Sequence, residues 1–205
     1  MTFGAIKSRI ADELVRPDLA SQIALAVNDA IGEAANTRFW FNEVRGLTFS
    51  TVDGQGFYDS EAIGQLSRID ALWIISNGQR RNMDLVNSNA IESWLEGQAT
   101  LTGEPFAYAR QANGLLLWMV PNAVYPVYID GVTRFAALSA DADTNPYIED
   151  GERYIRALTK ANILEDVVRD FEEADRQWAK ADREKGILMA GTSTRLTTNT
   201  NMACL

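Results

Sequence analysis

Apolar residues open the chain at helical spacing. Phe3, Ile6, Ile10 and Leu14 form one stripe, and Thr2 precedes it as a candidate N-cap. Pro17, inside "RPD", ends that helix. Ile23, Val27, Ala30, Ile31 and Ala34 make a second stripe, with Asp18 placed to cap it and "ANT" at residues 35–37 to close it. Two helices are therefore expected, over about residues 2–15 and 19–35.

The pattern then turns aromatic and β-branched. "RFWFNEV" and "LTFSTVDGQGFYDS" read as short strands around an Asp53-Gly54 turn. Asn77-Gly78 and Asn113-Gly114 mark two further hairpins. "YPVYIDGVTRFAAL" reads as a last strand, in which Asp130-Gly131 is either a turn or a bulge. Between the second and third hairpins, "NSNAIESWLEG" predicts a helix over about residues 88–97, capped by Asn87 or Ser88, with Ile91, Trp94 and Leu95 toward the sheet. The β region spans about residues 38–138 and predicts an antiparallel sheet or small sandwich.

Helical period returns over about residues 150–186, as one or two long helices. Tyr154, Ile155, Leu158, Ala161, Leu164, Val167, Val168 and Phe171 give the first part an apolar face wide enough to pack on more than one side. In "EEADRQWAKADREKG" the stripe narrows to Ala174, Trp178 and Ala181, and charge fills the rest. Glu165–Arg169 and Glu172–Arg176 are i,i+4 pairs. Residues 187–205 are expected as an extended tail, because "TSTRLTTNTNMACL" has no helical period. A stretch of Thr, Ser and Asn cannot order itself by burial, so a partner is expected to hold it. The fold class is α+β: a helical bundle with the β region inserted, as a single domain over 1–186 with a tail.

Composition narrows the function. The 205 residues include no histidine and one cysteine, Cys204. Ser-His and Cys-His nucleophile pairs, HExxH zinc sites and an intrachain disulfide are all excluded. No cofactor motif is present; "VDGQGFYD" has two glycines but neither the helix nor the Lys of a P-loop. The net charge of −9 opposes a stable grip on phosphates. It does not oppose lining a passage through which DNA slides. No apolar run approaches a membrane span, and "MTFGAIKSRIADEL" has no signal-peptide core. The chain is expected in the cytoplasm or in whatever assembles there.

The candidate chemistry is sparse. "DADTNPYIEDGE", residues 141–152, places Asp141, Asp143, Asn145 and Glu152 at EF-hand spacing. Position 6 of that loop needs glycine and holds Pro146, and a strand rather than a helix precedes it. The segment reads instead as a strand-to-helix corner: turn residues, a proline that pre-sets a helical φ, then Glu149, Asp150 and Glu152 at a helix start. Adjacent acids such as Glu172 and Glu173 read as a solvated helix face, not a glycosidase pair. Arg80 and Arg81, beside a hairpin turn, read as edge protection or a salt bridge. Trp40, Trp73, Trp94 and Trp118 read as core. Trp178, flanked by Arg176 and Arg183, is either an interface anchor or packing onto the preceding helix.

The corner carries a family resemblance. "AALSADADTNPYIEDGERYIRAL" resembles the segment in head-to-tail adaptor proteins of tailed bacteriophages and gene transfer agents, where a strand ends in Leu-Ser, an Asp-x-Asp-Thr-Asn corner follows, and an aromatic residue leads into the long C-terminal helix. The matching positions are Leu138, Ser139, Asp141, Asp143, Thr144, Asn145 and Tyr147, with Pro146 a departure. "NGLLLWMVPNA" and the helix-then-hairpins order also fit, and the recognisable pattern spans about residues 105–170. The resemblance implies a non-enzymatic virion protein of the neck or tail. It implies a ring, typically of twelve copies, that joins the portal to a tail nozzle or hub protein around the DNA channel, with a C-terminal extension docking into the portal. Twelve copies at −9 each would carry −108 and repel passing DNA rather than bind it. The residues expected at subunit or portal contacts are Arg176, Trp178, Arg183, Thr194, Arg195, Leu196 and Leu205. The rival readings are a tail-nozzle or neck-completion protein that never touches the portal, a carboxylate-based cell-wall hydrolase, and a calcium module.

Overall fold

A computed structural model describes residues 1–96 and 101–200, the side chains of Leu95 and residues 196–200 excepted. The chain forms two compact units, Met1–Asn42 with Phe135–Leu205 and Glu43–Arg134. The β unit is inserted into the helical one, and the α+β class holds.

In the helical unit α1 spans Phe3–Leu14 and α2 Ala20–Ala34. Thr2 caps α1 as predicted, accepting from the Ala5 amide at 3.3 Å. Asp18 does not cap α2. It sits in a 3-10 turn, Pro17–Leu19, and pairs with Arg16 at 2.8 Å. Its carboxyl is spent on a guanidinium, which holds it below the usual carboxylate range.

The short helix α5 (Pro146–Glu149) leads into α6 (Glu152–Ile163). The wide apolar face of α6 packs against α2 and against α7 (Phe171–Thr200). Phe3, Ile6, Ile10, Ile23, Val27, Tyr147, Ile155 and Leu158 share one buried core. Arg156 and Lys160 of α6 are buried too, and Glu13 of α1 meets them at 3.0 and 2.8 Å. Burial raises the Glu13 carboxyl, but the hydrogen bond and charge of Lys160, with Arg156 and Arg9, outweigh it and leave it lowered.

The predicted helix over 150–186 breaks once. A π-helical turn, Leu164–Val168, ends at Arg169, whose φ of 62° is left-handed. The Asp170 amide closes that end on the Leu164 carbonyl at 2.9 Å. Arg169 thus leaves the helix on which it was expected to meet Glu165. Glu172–Arg176 does pair, within α7.

In the β unit the strands are β1 (Glu43–Ser50), β2 (Phe57–Asp59), β3 (Leu66–Ser76), β4 (Gln79–Asn82), β5 (Asp84–Leu85), β6 (Thr102–Gly103), β7 (Ala107–Gln111), β8 (Gly114–Trp118), β9 (Val120–Pro121) and β10 (Pro126–Thr133). Two short helices join them, α3 (Ser60–Ile63) and α4 (Ser88–Leu95), the latter capped by Asn87. Among the described residues they form sheets ordered β1-β10-β3-β4 and β2-β8-β7-β5, and a small β6-β9 ladder. Leu72, Ile74, Val127 and Ile129 of the first sheet and Tyr58, Tyr108, Leu115 and Leu117 of the second bury one another, a sandwich core.

Two predicted hairpins survive. In β3–β4, Asn77 and Gly78 occupy the turn with φ of 51° and 74°, as a type I′ turn requires. In β7–β8 the turn falls on Ala112-Asn113, one residue early. Gly114 instead enters the strand, because a Cβ there would lie 2.2 Å from the Tyr58 carbonyl oxygen of β2. The first hairpin is corrected: β1 pairs with β10 and β2 with β8, in different sheets. Asp130-Gly131 is a bulge within β10. The β5–β7 and β6–β9 pairs are parallel, which hairpin logic does not anticipate.

Candidate functional site

The corner at residues 139–150 positions everything that follows it. Asp143 folds back, its Oδ2 accepting from the Ser139 and Ala140 amides at 2.8 and 2.7 Å. Those backbone bonds hold its carboxyl below the usual range. Asn145 caps α5 by accepting from the Ile148 amide at 3.2 Å, and Pro146 stands at its first turn. Asp141 pairs with Lys7 at 2.7 Å. The would-be calcium ligands are thus engaged with backbone or cations. Among the described residues no cluster of His, Cys, Asp or Glu is arranged to hold a metal.

The corner also serves α1. The Phe3 amide donates to the Asp143 carbonyl at 2.8 Å and the Gly4 amide to the Asp141 carbonyl at 2.9 Å. First-turn amides have no partner inside their own helix, so the corner closes the N-terminus of α1. Gly4 permits the approach, since a Cβ there would lie 2.9 Å from that of Asp141. Tyr147, fully buried, then locks the start of the C-terminal helices. Its hydroxyl accepts from Asn42 Nδ2 at 2.7 Å, and its ring meets Phe41 and Phe135 edge-on.

From there α6 and the left-handed Arg169 aim α7. Its thirty residues span about 45 Å at ~1.5 Å per residue. The helix continues to Thr200, where an extended tail was expected from residue 187. The physical reason is local. Leu188 packs on the core, the Thr192 hydroxyl accepts from the Trp40 amide at 3.1 Å, and the Arg195 guanidinium lies 3.7 Å from the Trp40 ring centroid. These contacts continue the inward stripe of Ala174, Trp178 and Ala181 at helical spacing.

Of the seven residues expected at partner contacts, the five whose side chains are described divide between two faces of α7. Trp178 turns inward onto the core, and its indole N–H donates to Glu165 Oε2 at 3.0 Å. That is packing on the preceding helix. Arg195 also turns inward, onto Trp40. Arg176, Arg183 and Thr194 lie on the opposite side, exposed, and spaced to form one stripe. Arg176 pairs there with Glu172 and Glu173, and Arg183 with Glu184. The Leu196 side chain and Leu205 lie outside the described residues.

That outer stripe also carries Ile187, 58% exposed, whereas Met189, two residues on and 49% exposed, faces another side of the helix. Neither was anticipated. The available signal was an isoleucine four residues after Arg183, off the Ala174–Trp178–Ala181 stripe. Beneath Ile187, between α7 and the corner, lies a hollow of about 260 Å³ that also touches Glu149, Asp150, Glu152 and Glu184. Glu152 is held by Arg9 and Arg156, both at 3.2 Å. Its carboxyl serves an ion-pair network, not a convergent acid pair.

The aromatic residues divide in the same way. Trp73 stacks on Tyr128 and carries Arg80 over its face at 3.8 Å, while Arg81 pairs with Glu104 at 3.1 Å. Trp94, expected in the core, is 37% exposed and lies against Trp118 and Phe106.

The described chain thus combines a helical unit that fastens its own corner, an inserted sandwich and a long helix with an exposed face. The model of the SU10 adaptor protein family matches residues 1–202, and the chain belongs to that family of phage head-to-tail adaptors. The family is a structural one. No curated protein matches the chain. Among the described residues no helix is long and apolar enough to cross a membrane.

Proposed function

We propose that this protein is a ring-forming adaptor of the virion neck, assembled in the host cytoplasm, that joins the portal to the tail around the DNA channel without catalysis. Family membership over residues 1–202 is the observation that carries this reading. The net charge of −9 supports passage of DNA without specific binding. The outer stripe of α7, with Arg176, Arg183, Ile187 and Thr194, is the contact surface toward a neighbouring subunit or the portal. An exposed isoleucine flanked along the helix by arginines suits an interface. Trp178 and Arg195 support that surface from within, by fixing the helix on its own core.

Native mass spectrometry of the protein alone and with its portal tests the assembly, with twelve copies expected on the portal. The contact surface is tested by Ile187→Glu, at an exposed position of that stripe. Portal binding is expected to weaken at least tenfold while the circular dichroism spectrum and Tm hold. Unchanged binding overturns the assignment of that face. Assembly onto tails without portal contact would favour a nozzle or neck-completion role instead.

A further inference from the structure

Among the described residues β1 and β4 are the edge strands of the first sheet of the β unit, β4 as far as Asn82, beyond which the Asp84 amide donates to the Phe106 carbonyl at 3.0 Å, and the two edges match. Its order is β1-β10-β3-β4, and every pair is antiparallel. An even number of antiparallel strands makes the two edge strands run in opposite directions. A second copy set beside the first, in the same orientation, therefore presents its β1 antiparallel to β4.

The backbone groups agree as well. The Thr51 amide donates to the Tyr125 carbonyl at 2.9 Å. In an antiparallel ladder alternate residues bond the partner strand and the residues between them face away. Thr48 and Ser50 therefore turn their N–H and C=O groups to the open side of β1. On β4 the Met83 amide donates to the Leu72 carbonyl at 2.9 Å. By the same alternation Arg80 and Asn82 face outward.

The register links these ends. Thr48 pairs with Tyr128, Tyr128 with Trp73, and Trp73 with Asn82, one unbroken row across the sheet. Ser50 and Arg80 stand two residues further along in the same direction. Both edges are exposed, and their cations are drawn aside. Arg80 lies over Trp73, Arg81 is tied to Glu104, and Arg45 is tied to Glu43 at 2.7 Å. The cations of both edges, though still exposed, are thus each held by a contact within the subunit.

We propose that β1 of one copy pairs with β4 of the next, Thr48 opposite Asn82 and Ser50 opposite Arg80, so that this sheet runs continuously from subunit to subunit. The contact is head-to-tail and closes as a ring if the rotation closes. Four strands at ~4.8 Å give about 19 Å per copy, and twelve copies a circumference of about 230 Å. This inference rests on the ring reading above and adds the surface that builds the ring.

The test uses a Cys204→Ser background carrying Thr48→Cys and Asn82→Cys. Cross-strand neighbours lie within disulfide reach. Oxidation of portal-bound assemblies should give a ladder of linked copies on a denaturing gel, and each single variant should give none beyond a dimer. Thr48→Pro is the second variant. Proline is tolerated where the amide points off an edge strand, so Tm should hold while ring yield falls at least tenfold. Rings seen by native mass spectrometry without cross-linking overturn the edge pairing and leave the adaptor reading intact. Cross-links from β1 or β4 to portal chains overturn it too. Failure to form any ring with portal present overturns the adaptor reading, and this inference with it.

Discussion

Replacing Tyr147 by phenylalanine isolates one buried hydrogen bond at the corner that starts the C-terminal helices. Tyr147 and Asn42 are both buried. The Asn42 amide donates to the Thr37 carbonyl at 2.9 Å and to the Tyr147 hydroxyl at 2.7 Å, and its Oδ1 accepts from the Phe39 amide at 2.7 Å. Tyr147→Phe keeps the ring contacts with Phe41 and Phe135 but leaves one N–H of Asn42 buried without an acceptor. That costs about 1–3 kcal/mol, or roughly 2–4 °C in Tm per kcal/mol for a chain of this size. Asn42→Ala strips the buried Phe39 amide and the partly buried Thr37 carbonyl of their partner instead and should cost about 2–4 kcal/mol. The pair should not add, with a coupling of roughly 0.5–3 kcal/mol in a double-mutant cycle. Urea unfolding gives the values, provided m is unchanged. A Tyr147→Phe variant within about 0.3 kcal/mol of the parent, or strict additivity with Asn42→Ala, would refute the account.

Two further outcomes follow from particular groups. Burial, with Glu33 and Asp182 nearby, pushes the Tyr154 phenol to about 12. Its folded value lies above the unfolded one, near 10. The folded state thus holds the proton longer, so this contribution is complete below about pH 10 and is lost as pH rises toward 12. Tm measured across that range should fall less steeply in Tyr154→Phe than in the parent, and parallel curves would contradict the assignment. Gly114→Ala should destabilise the β unit by about 1–3 kcal/mol or more, because the new Cβ meets the β2 backbone. Gly78→Ala is the comparison: it has open space around the new Cβ but a φ of 74°. It should cost only its backbone strain, about 1–2 kcal/mol. Amide exchange that rises at β8 in neither variant would argue against the close approach.

The corner shows how far sequence reasoning reaches. Asn145 as a turn and capping residue and Pro146 as pre-setting a helical φ were legible, because capping and proline geometry act within a few residues, while the burial of Tyr147 was not. The same locality explains α1, α2, the Asn77-Gly78 turn and the wide face of α6. The failures were long-range. Residues 51–56 look like a hairpin loop, yet they carry the chain from one sheet to the other. Nothing in "TVDGQG" records that β1 will find β10 some eighty residues later. Trp178 could not be assigned to core or interface until Glu165 was placed beside it by the turn at Arg169.

The amino-acid sequence by itself determined the α+β class, the order of elements, the absence of histidine chemistry and the acidic charge, since these depend on composition and local period. Tertiary structure decided the strand pairing, the helical continuation to Thr200 and the sorting of the α7 residues into inward and outward faces. Each depends on contacts between residues far apart in the chain. A threonine-rich segment becomes helix when Trp40 offers Thr192 and Arg195 a surface to meet, and a stripe becomes a candidate interface when the opposite stripe is already buried.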